Sequence, residues 1–466
     1  MKTLLVSGAI AAALMTGTAA AQEPTVQQQL QALSERISRL EQAKGQLEQA
    51  NTDLAEKNDR LEATVEYLRS NASETRKTLA EAEPKIENAD KVTKGAEWLN
   101  RISFKGDVRF RNENIDQEWA ASARNRDRIR ARLGAVAKVN DKVTAELQLT
   151  TDESLSGGSE GDARSPNRTL TDANSRKEID IDTAFVQWAP IPSVKTTFGK
   201  MRYPYVRPSS SLFFDNDINP EGVAVGWQQS PTTGLFASTW YFDLMERSTF
   251  ADSNMAGAQV GWRTEFGTGA KLMLAGSYFG HSAVQGYNAV QDQNVAQNAF
   301  GNTTATTGCH AGITPCIASD FDVWEGIAEL GMTAAGRPLA FFVDYAHNAG
   351  AATNTKVNEK LDTAYAAGVL YGKVVAERSW EVGYLYQHIE NDALYAQWID
   401  SDFGAGNSGS QGSVFKFGYG FGPSFRINAT YFMNETNIDV PTTITDVGDV
   451  NDRDYRRLQL DLVAGF

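Results

Sequence analysis

Arginine occupies every second position of one short segment: Arg126, Arg128, Arg130 and Arg132. In an extended strand, alternate side chains share a face, so these four guanidinium groups project together. Arg109 and Arg111 repeat the spacing one segment earlier, and Glu146 stands on the corresponding polar face one segment later. Such a ladder can hold anionic solutes or set a transverse field across a water-filled passage. It can equally be neutralised by carboxylates, for which Asp107, Glu146, Asp180 and Asp182 are candidates. No other residue set competes for chemistry. Four His and two Cys are spread over 466 residues. His281, His347 and His388 are scattered without nucleophile–base spacing, and only His310 adjoins Cys309. The glycine-rich stretch 404–412 lacks the strand–loop–helix context of a phosphate cradle. Neither an enzyme, a cofactor nor a metal site is expected.

The balance of charge points the same way. With 44 Lys+Arg against 58 Asp+Glu, the net charge is −14, the opposite of what a phosphate backbone requires. Hydrophobic residues make up 41 % and aromatics 10 %, enough for ordered structure.

Three regions must position the ladder. Lys2, the apolar run 4–14 and Ala19-x-Ala21 have the parts of a secretory signal over 1–21, with cleavage expected before Gln22. From there to residue 83 a heptad pattern predicts an α-helical coiled coil. Its seam is Leu30, Leu33, Ile37, Leu40, Leu47, Asn51, Leu54, Asn58, Leu61, Val65 and Leu68. Leu fills one seam position in six successive heptads; Lys44, Asn51 and Asn58 interrupt the other, a device that fixes register and strand number. Pro84 predicts the end of the regular helix near Glu83, a rod of roughly 90 Å. A linker over 84–100 follows.

Beyond residue 100 the period changes to two. Sixteen alternating segments are predicted near 101–112, 126–139, 143–152, 179–189, 194–200, 222–229, 234–243, 256–265, 270–280, 323–332, 338–347, 361–371, 378–388, 412–420, 424–434 and 455–466. Connections alternate between short and long, the longest running over 281–320. Strands of about ten residues with opposed faces, short turns on one side and long loops on the other, predict an all-β transmembrane barrel of about sixteen antiparallel strands over 101–466. Arginine on a lipid face costs roughly 2–4 kcal/mol near the midplane, so the ladder is placed in the lumen. A barrel of this size leaves an aqueous channel. Trp188, Tyr203, Trp227, Trp240, Tyr241, Trp262, Tyr371, Trp380 and Tyr384 are expected at strand ends or on the outer face, as interfacial girdles. The third long connection carries Arg202, Arg207, Phe213, Phe214, Asp215 and Asp217; it is expected to fold inward, its two aspartates facing the ladder. Cys309 and Cys316, seven apart in the longest loop of an exported chain, are expected to form a disulfide.

The run from Arg126 through Arg132-Leu133-Gly134, with Lys138-Val139-Asn140-Asp141 and Thr144, resembles the putative-porin family of Gram-negative outer membranes. So do Gly199-Lys200-Met201 with Pro204, and Phe214-Asp215-Asn216-Asp217 followed by Asn219-Pro220-Glu221-Gly222. The resemblance covers 101–466 and implies a sixteen-strand porin, a homotrimer in outer-membrane lipid and lipopolysaccharide. The chain is also distantly similar to phosphate-selective porins, which share an N-terminal coiled coil and an arginine-lined pore. The expected function is passive diffusion of small hydrophilic solutes and ions. The alternatives are an anion-selective, phosphate-type channel, or a tether reaching the peptidoglycan through a periplasmic coiled coil.

Overall fold

The computed structural model describes residues 26–89, 99–152, 161–171, 173–208, 210–267, 269–288, 299–440, 442–444, 448–450 and 452–466. The expected signal, 1–21, and most of the expected linker, 90–98, lie outside the described residues. Two compact units divide near residue 96.

The first unit contains α1, Val26–Ala89. A helix is present, and its seam hydrophobics, from Leu30 to Leu68, are 45–68 % exposed, without a partner among the described residues of that unit. The helix passes through Pro84 instead of ending near Glu83. Proline removes one hydrogen bond and crowds the preceding turn, at roughly 3 kcal/mol. A 64-residue helix can carry that local cost without stopping. Among the described residues, no helix is long and apolar enough to cross a membrane.

The second unit is a closed antiparallel barrel of sixteen strands: β1 Ile102–Gln117, β2 Arg124–Asn140, β3 Val143–Asp152, β4 Glu178–Ile191, β5 Val194–Lys200, β6 Glu221–Gln228, β7 Gly234–Met245, β8 Ser253–Phe266, β9 Ala270–Ser282, β10 Asp322–Ala334, β11 Arg337–Asn348, β12 Thr363–Gly372, β13 Trp380–Ile389, β14 Ser410–Gly420, β15 Phe425–Thr436 and β16 Arg453–Gly465. Each pairs with its sequence neighbours, and β16 pairs back onto β1 from Asp107↔Gly465 to Gln117↔Tyr455. The predicted strands all occur; β1 runs five residues further than its expected end at 112.

Alternation sorts the two faces as expected. Phe104, Val108, Phe110, Leu458, Leu460 and Leu462 point outward, whereas Arg109, Arg111, Arg457 and Asp461 are buried inside. Trp188, Trp227, Tyr241, Trp262 and Tyr384 are exposed on the outer face. Tyr203 and Trp240 are not girdle residues. Trp240 shares the inner face of β7 with Phe236 and Phe242, all buried, and Tyr203 lies in the loop after β5.

The seam between β1 and β16 is sealed by Phe466. Its backbone and that of Gly106 exchange two 3.0 Å hydrogen bonds. Its ring lies over Gly106, where any side chain would overlap both that ring and the Arg132 carbonyl. Gly106→Val should therefore displace Phe466 and cost about 1–3 kcal/mol by overpacking. The expected result is a lower temperature at which the heat-resistant barrel band on SDS gels converts to the unfolded band; an unchanged temperature would refute the close-packing argument.

Candidate functional site: the charged and aromatic walls of the barrel

The lumen has two unlike walls. On β1, β2 and β16 the arginine ladder projects inward, because the apolar residues between its members need the outer face. Each member is paired. Arg111 grips Asp461 through Nε–Oδ1 at 2.6 Å and Nη2–Oδ2 at 2.8 Å, a bidentate fork. Glu113, fully buried, receives Arg126 Nε at 2.6 Å and Arg457 Nη2 at 2.7 Å, with Arg128 at 3.8 Å. Arg130 and Arg132 share Asp107 at 2.7 and 2.6 Å. Of the carboxylates proposed from sequence, Asp107 is a direct partner. Glu146 instead binds Lys105 at 2.8 Å and Arg202 at 2.6 Å. Asp182 accepts hydrogen bonds from Gln148 and, at 2.6 Å, from Asn219. A desolvated arginine without such partners would carry a large penalty, which explains the density of pairing.

Two inserted loops complete that wall. Arg109 and Arg128 bond Asn167 in the loop after β3, Arg128 Nη2 meeting its carbonyl at 2.5 Å. In the same loop Arg164 donates to Gly406 O at 2.9 Å and lies over the Phe300 ring. In the loop after β13, Asp402 receives Arg457 at 2.8 Å and Arg111 at 3.3 Å. Burial alone would raise the Asp402 carboxyl; the two guanidinium groups overcome this and hold it well below the usual carboxylate range. Its neighbour Asp400 has burial and the Asp402 charge acting together, which push it up to about 6.

The opposite wall is aromatic. Gly199 and Gly222, register partners at the neck of the loop after β5, adopt φ of 112° and 146°, where a side chain would strike the neighbouring strand. Between them, residues 201–208 and 210–220 turn inward. Tyr205, Phe213 and Phe214 are buried there. Tyr205 packs on Trp240 with ring centroids 4.6 Å apart, and Phe214 on Phe279 at 5.1 Å. Tyr203 meets Trp398 of the loop after β13 at 5.8 Å.

The loop's two aspartates do different things. Asp217 faces the ladder, its Oδ1 3.8 Å from Arg130. Asp215 is turned away into the protein: its Oδ2 accepts from Ser401 N at 2.8 Å, and its own N donates to Trp398 O at 2.8 Å. Two acidic residues two positions apart on a turn point in different directions, and Asp215 ties the loop after β5 to the loop after β13. Burial, with Asp400 and Asp217 nearby, pushes its carboxyl well up. Arg207 donates to Phe214 O at 2.9 Å and to Asn216, its guanidinium over Tyr203.

Between the walls lies a cavity of about 270 Å³ lined by Arg132, Gln148, Asp182, Arg202, Arg207 and Asp217, with Tyr203, Tyr205, Asn216, Ile218 and Asn219. Of its residues, Gln148, Tyr203, Tyr205, Asn216, Ile218 and Asn219 are not among the pore and loop candidates read from the sequence. Glu113, Arg457 and Asp461 were likewise missed, although their alternation continues the patterns of β1 and β16. Asp402, Arg164 and Asn167 sit in loops and carry no periodic signal. In the loop after β9, Cys309 and Cys316 form a disulfide.

Comparisons with known proteins bear on this architecture. The chain aligns in structure with Pseudomonas putida OprB at high pH (13 % identity, 81 % of this chain and 97 % of that one, TM-score 0.49). It aligns with Vibrio cholerae OmpT in a trimer form (14 %, 78 % and 99 %, 0.41) and with a triple mutant of Rhodopseudomonas blastica porin (13 %, 78 % and 100 %, 0.41). No curated protein matches in sequence. Residues 117–311, the segment holding the arginine ladder and the inward loop after β5, match the family model described as "Putative porin".

Proposed function

We propose that the chain is an outer-membrane porin, a water-filled channel through which small hydrophilic solutes and ions diffuse passively. The observation that carries this reading is the closed sixteen-strand barrel, apolar outside and charged inside, with a loop turned into its lumen. The porin family match over 117–311 supports it. A channel needs no reacting group, and the lumen's polar residues serve its walls.

The pairing of the ladder argues for weak selectivity over a phosphate-type filter. Arg130 and Arg132 share one carboxylate and so leave net positive charge, but Asp217 and Asp182 stand on the same passage. In a planar bilayer under a salt gradient, large conductance steps and a small reversal potential are expected. Arg130→Gln should shift the preference toward cations and Asp217→Asn toward anions. One charge about 8 Å from the path in a water-like medium is worth about 0.5 kcal/mol, roughly a twofold change in permeability ratio. Absence of conductance would overturn the channel reading. Strong anion preference insensitive to both variants would favour a dedicated anion filter elsewhere in the lumen.

The helix supports a second element of the proposal. Long loops are assigned to the outside and short turns to the periplasm. The chain enters β1 at the short-turn end, which assigns α1 to the periplasm. Its exposed leucine seam calls for other copies of the same helix, and the porin resemblance favours three. A tether to peptidoglycan is compatible with the same rod. Deleting 26–89 while keeping the signal should leave unit conductance unchanged and weaken the oligomer on native gels. Envelope fragility on that deletion would add the tether; an oligomer of undiminished stability would remove the helix from assembly.

A further inference from the structure

Outside the lumen, at the long-loop rim, three potential ligands converge on the barrel's outer face. His388 lies near the end of β13, Glu390 just beyond it, and Asp439 follows β15. One ligand atom from each lies within 4.8 Å of the others. Residues two apart on a strand share a face, so His388 and Glu390 are delivered together by β13 and its extension. None of the three takes part in the lumen networks described above.

The surroundings fix the donors. His388 Nδ1 lies 3.1 Å from Gln411 Oε1. Gln411 spends its amide hydrogen on Glu435 Oε2 at 2.8 Å, which leaves Oε1 facing the imidazole as an acceptor. The proton therefore sits on Nδ1, and Nε2 keeps its lone pair. That carbonyl-to-imidazole support is the arrangement that orients metal-binding histidines. Tyr365 stacks on the imidazole, centroids 4.9 Å apart and planes 16° apart, fixing the ring plane. Glu390 is held by Thr363 N at Oε2, 2.7 Å, which leaves Oε1. The Asp439 carboxylate takes a backbone hydrogen bond from Asn391, while its buried Oδ2 has no hydrogen-bond partner among the described residues.

We propose that His388, Glu390 and Asp439 bind a divalent transition-metal ion of the Zn²⁺ type. A neutral imidazole with two carboxylates balances a dication and suits zinc better than a purely oxygen-seeking ion. Ligands around tetrahedral zinc stand roughly 3.4 Å apart, so side-chain shifts of about 1 Å close the site, with water in the fourth position. Gln411 acts as a positioning residue. The site does not depend on the conductance proposed above.

The test is Zn²⁺ binding to the purified full chain in detergent, read by equilibrium dialysis with metal analysis. About one Zn²⁺ per chain is expected. His388→Ala and Asp439→Asn should each weaken binding at least tenfold, and Gln411→Leu should weaken it about tenfold by freeing the imidazole. Heat-modifiable migration on SDS gels reports whether each variant retains the barrel. No Zn²⁺ retained by the parent chain would overturn the proposal. So would undiminished binding in a folded His388→Ala variant, or Ca²⁺ bound as tightly as Zn²⁺ and indifferent to His388.

Discussion

Everything in the second unit follows from closing the sheet. Lipid offers no hydrogen bonds to an open strand edge, so β1 and β16 must satisfy each other. The last residue of the chain completes that seam, its backbone paired with Gly106 and its ring over the one position that has no side chain to resist it. Closure then forces strict alternation on every strand. A side chain that does not suit lipid has one other place to go.

The ladder shows what that constraint costs and how the cost is met. Arginines excluded from the lipid face are packed side by side within the lumen, partly out of water. Carboxylates on the same strands (Asp107, Glu113, Asp461) offset part of the charge, and the inserted loops add Asp402, Asp217 and the uncharged Asn167 carbonyl. The loops are thus counterions to the wall as much as obstacles in the passage. On the facing wall Glu325 and Asp344 are buried with hydroxyl donors, Ser277 Oγ at 2.7 Å and Ser211 Oγ at 2.6 Å. Tyr205, Phe213 and Phe214 dock by apolar burial against Trp240 and Phe279. One loop therefore spans two kinds of adhesion, with Arg207 and Asp217 at the boundary between them.

How much of this could be read from sequence depends on whether a residue belongs to a period. The sixteen strands, their inward and outward faces and the inward position of Arg126–Arg132 are consequences of spacing two, and they are present in the structure. Trp240 misled because an aromatic on a barrel strand is expected at the membrane interface, whereas here the inner face of β7 is aromatic too and receives a loop. Asp215 misled for a different reason. A turn gives acidic residues two positions apart different directions, and only the fold tells which one meets Ser401. Pro84 would end a short helix, yet its penalty is local and α1 continues to Ala89. Residues such as Arg164 and Asn167 lie in irregular backbone, where no spacing rule marks an inward side chain.

The two units solve the problem of apolar surface in opposite ways. The barrel turns its apolar face to lipid and buries its charges in itself. The helix has one apolar stripe and no core of its own, and an isolated helix in water gains little from exposed leucines. Its stripe of leucines is exposed along the helix, with Lys44, Asn51 and Asn58 interleaved in it. The apolar stripe that nothing in its own unit covers, among the described residues, therefore resides in the first unit, while the geometry of the passage resides in the second. Each unit thus carries a physical requirement that the other does not share.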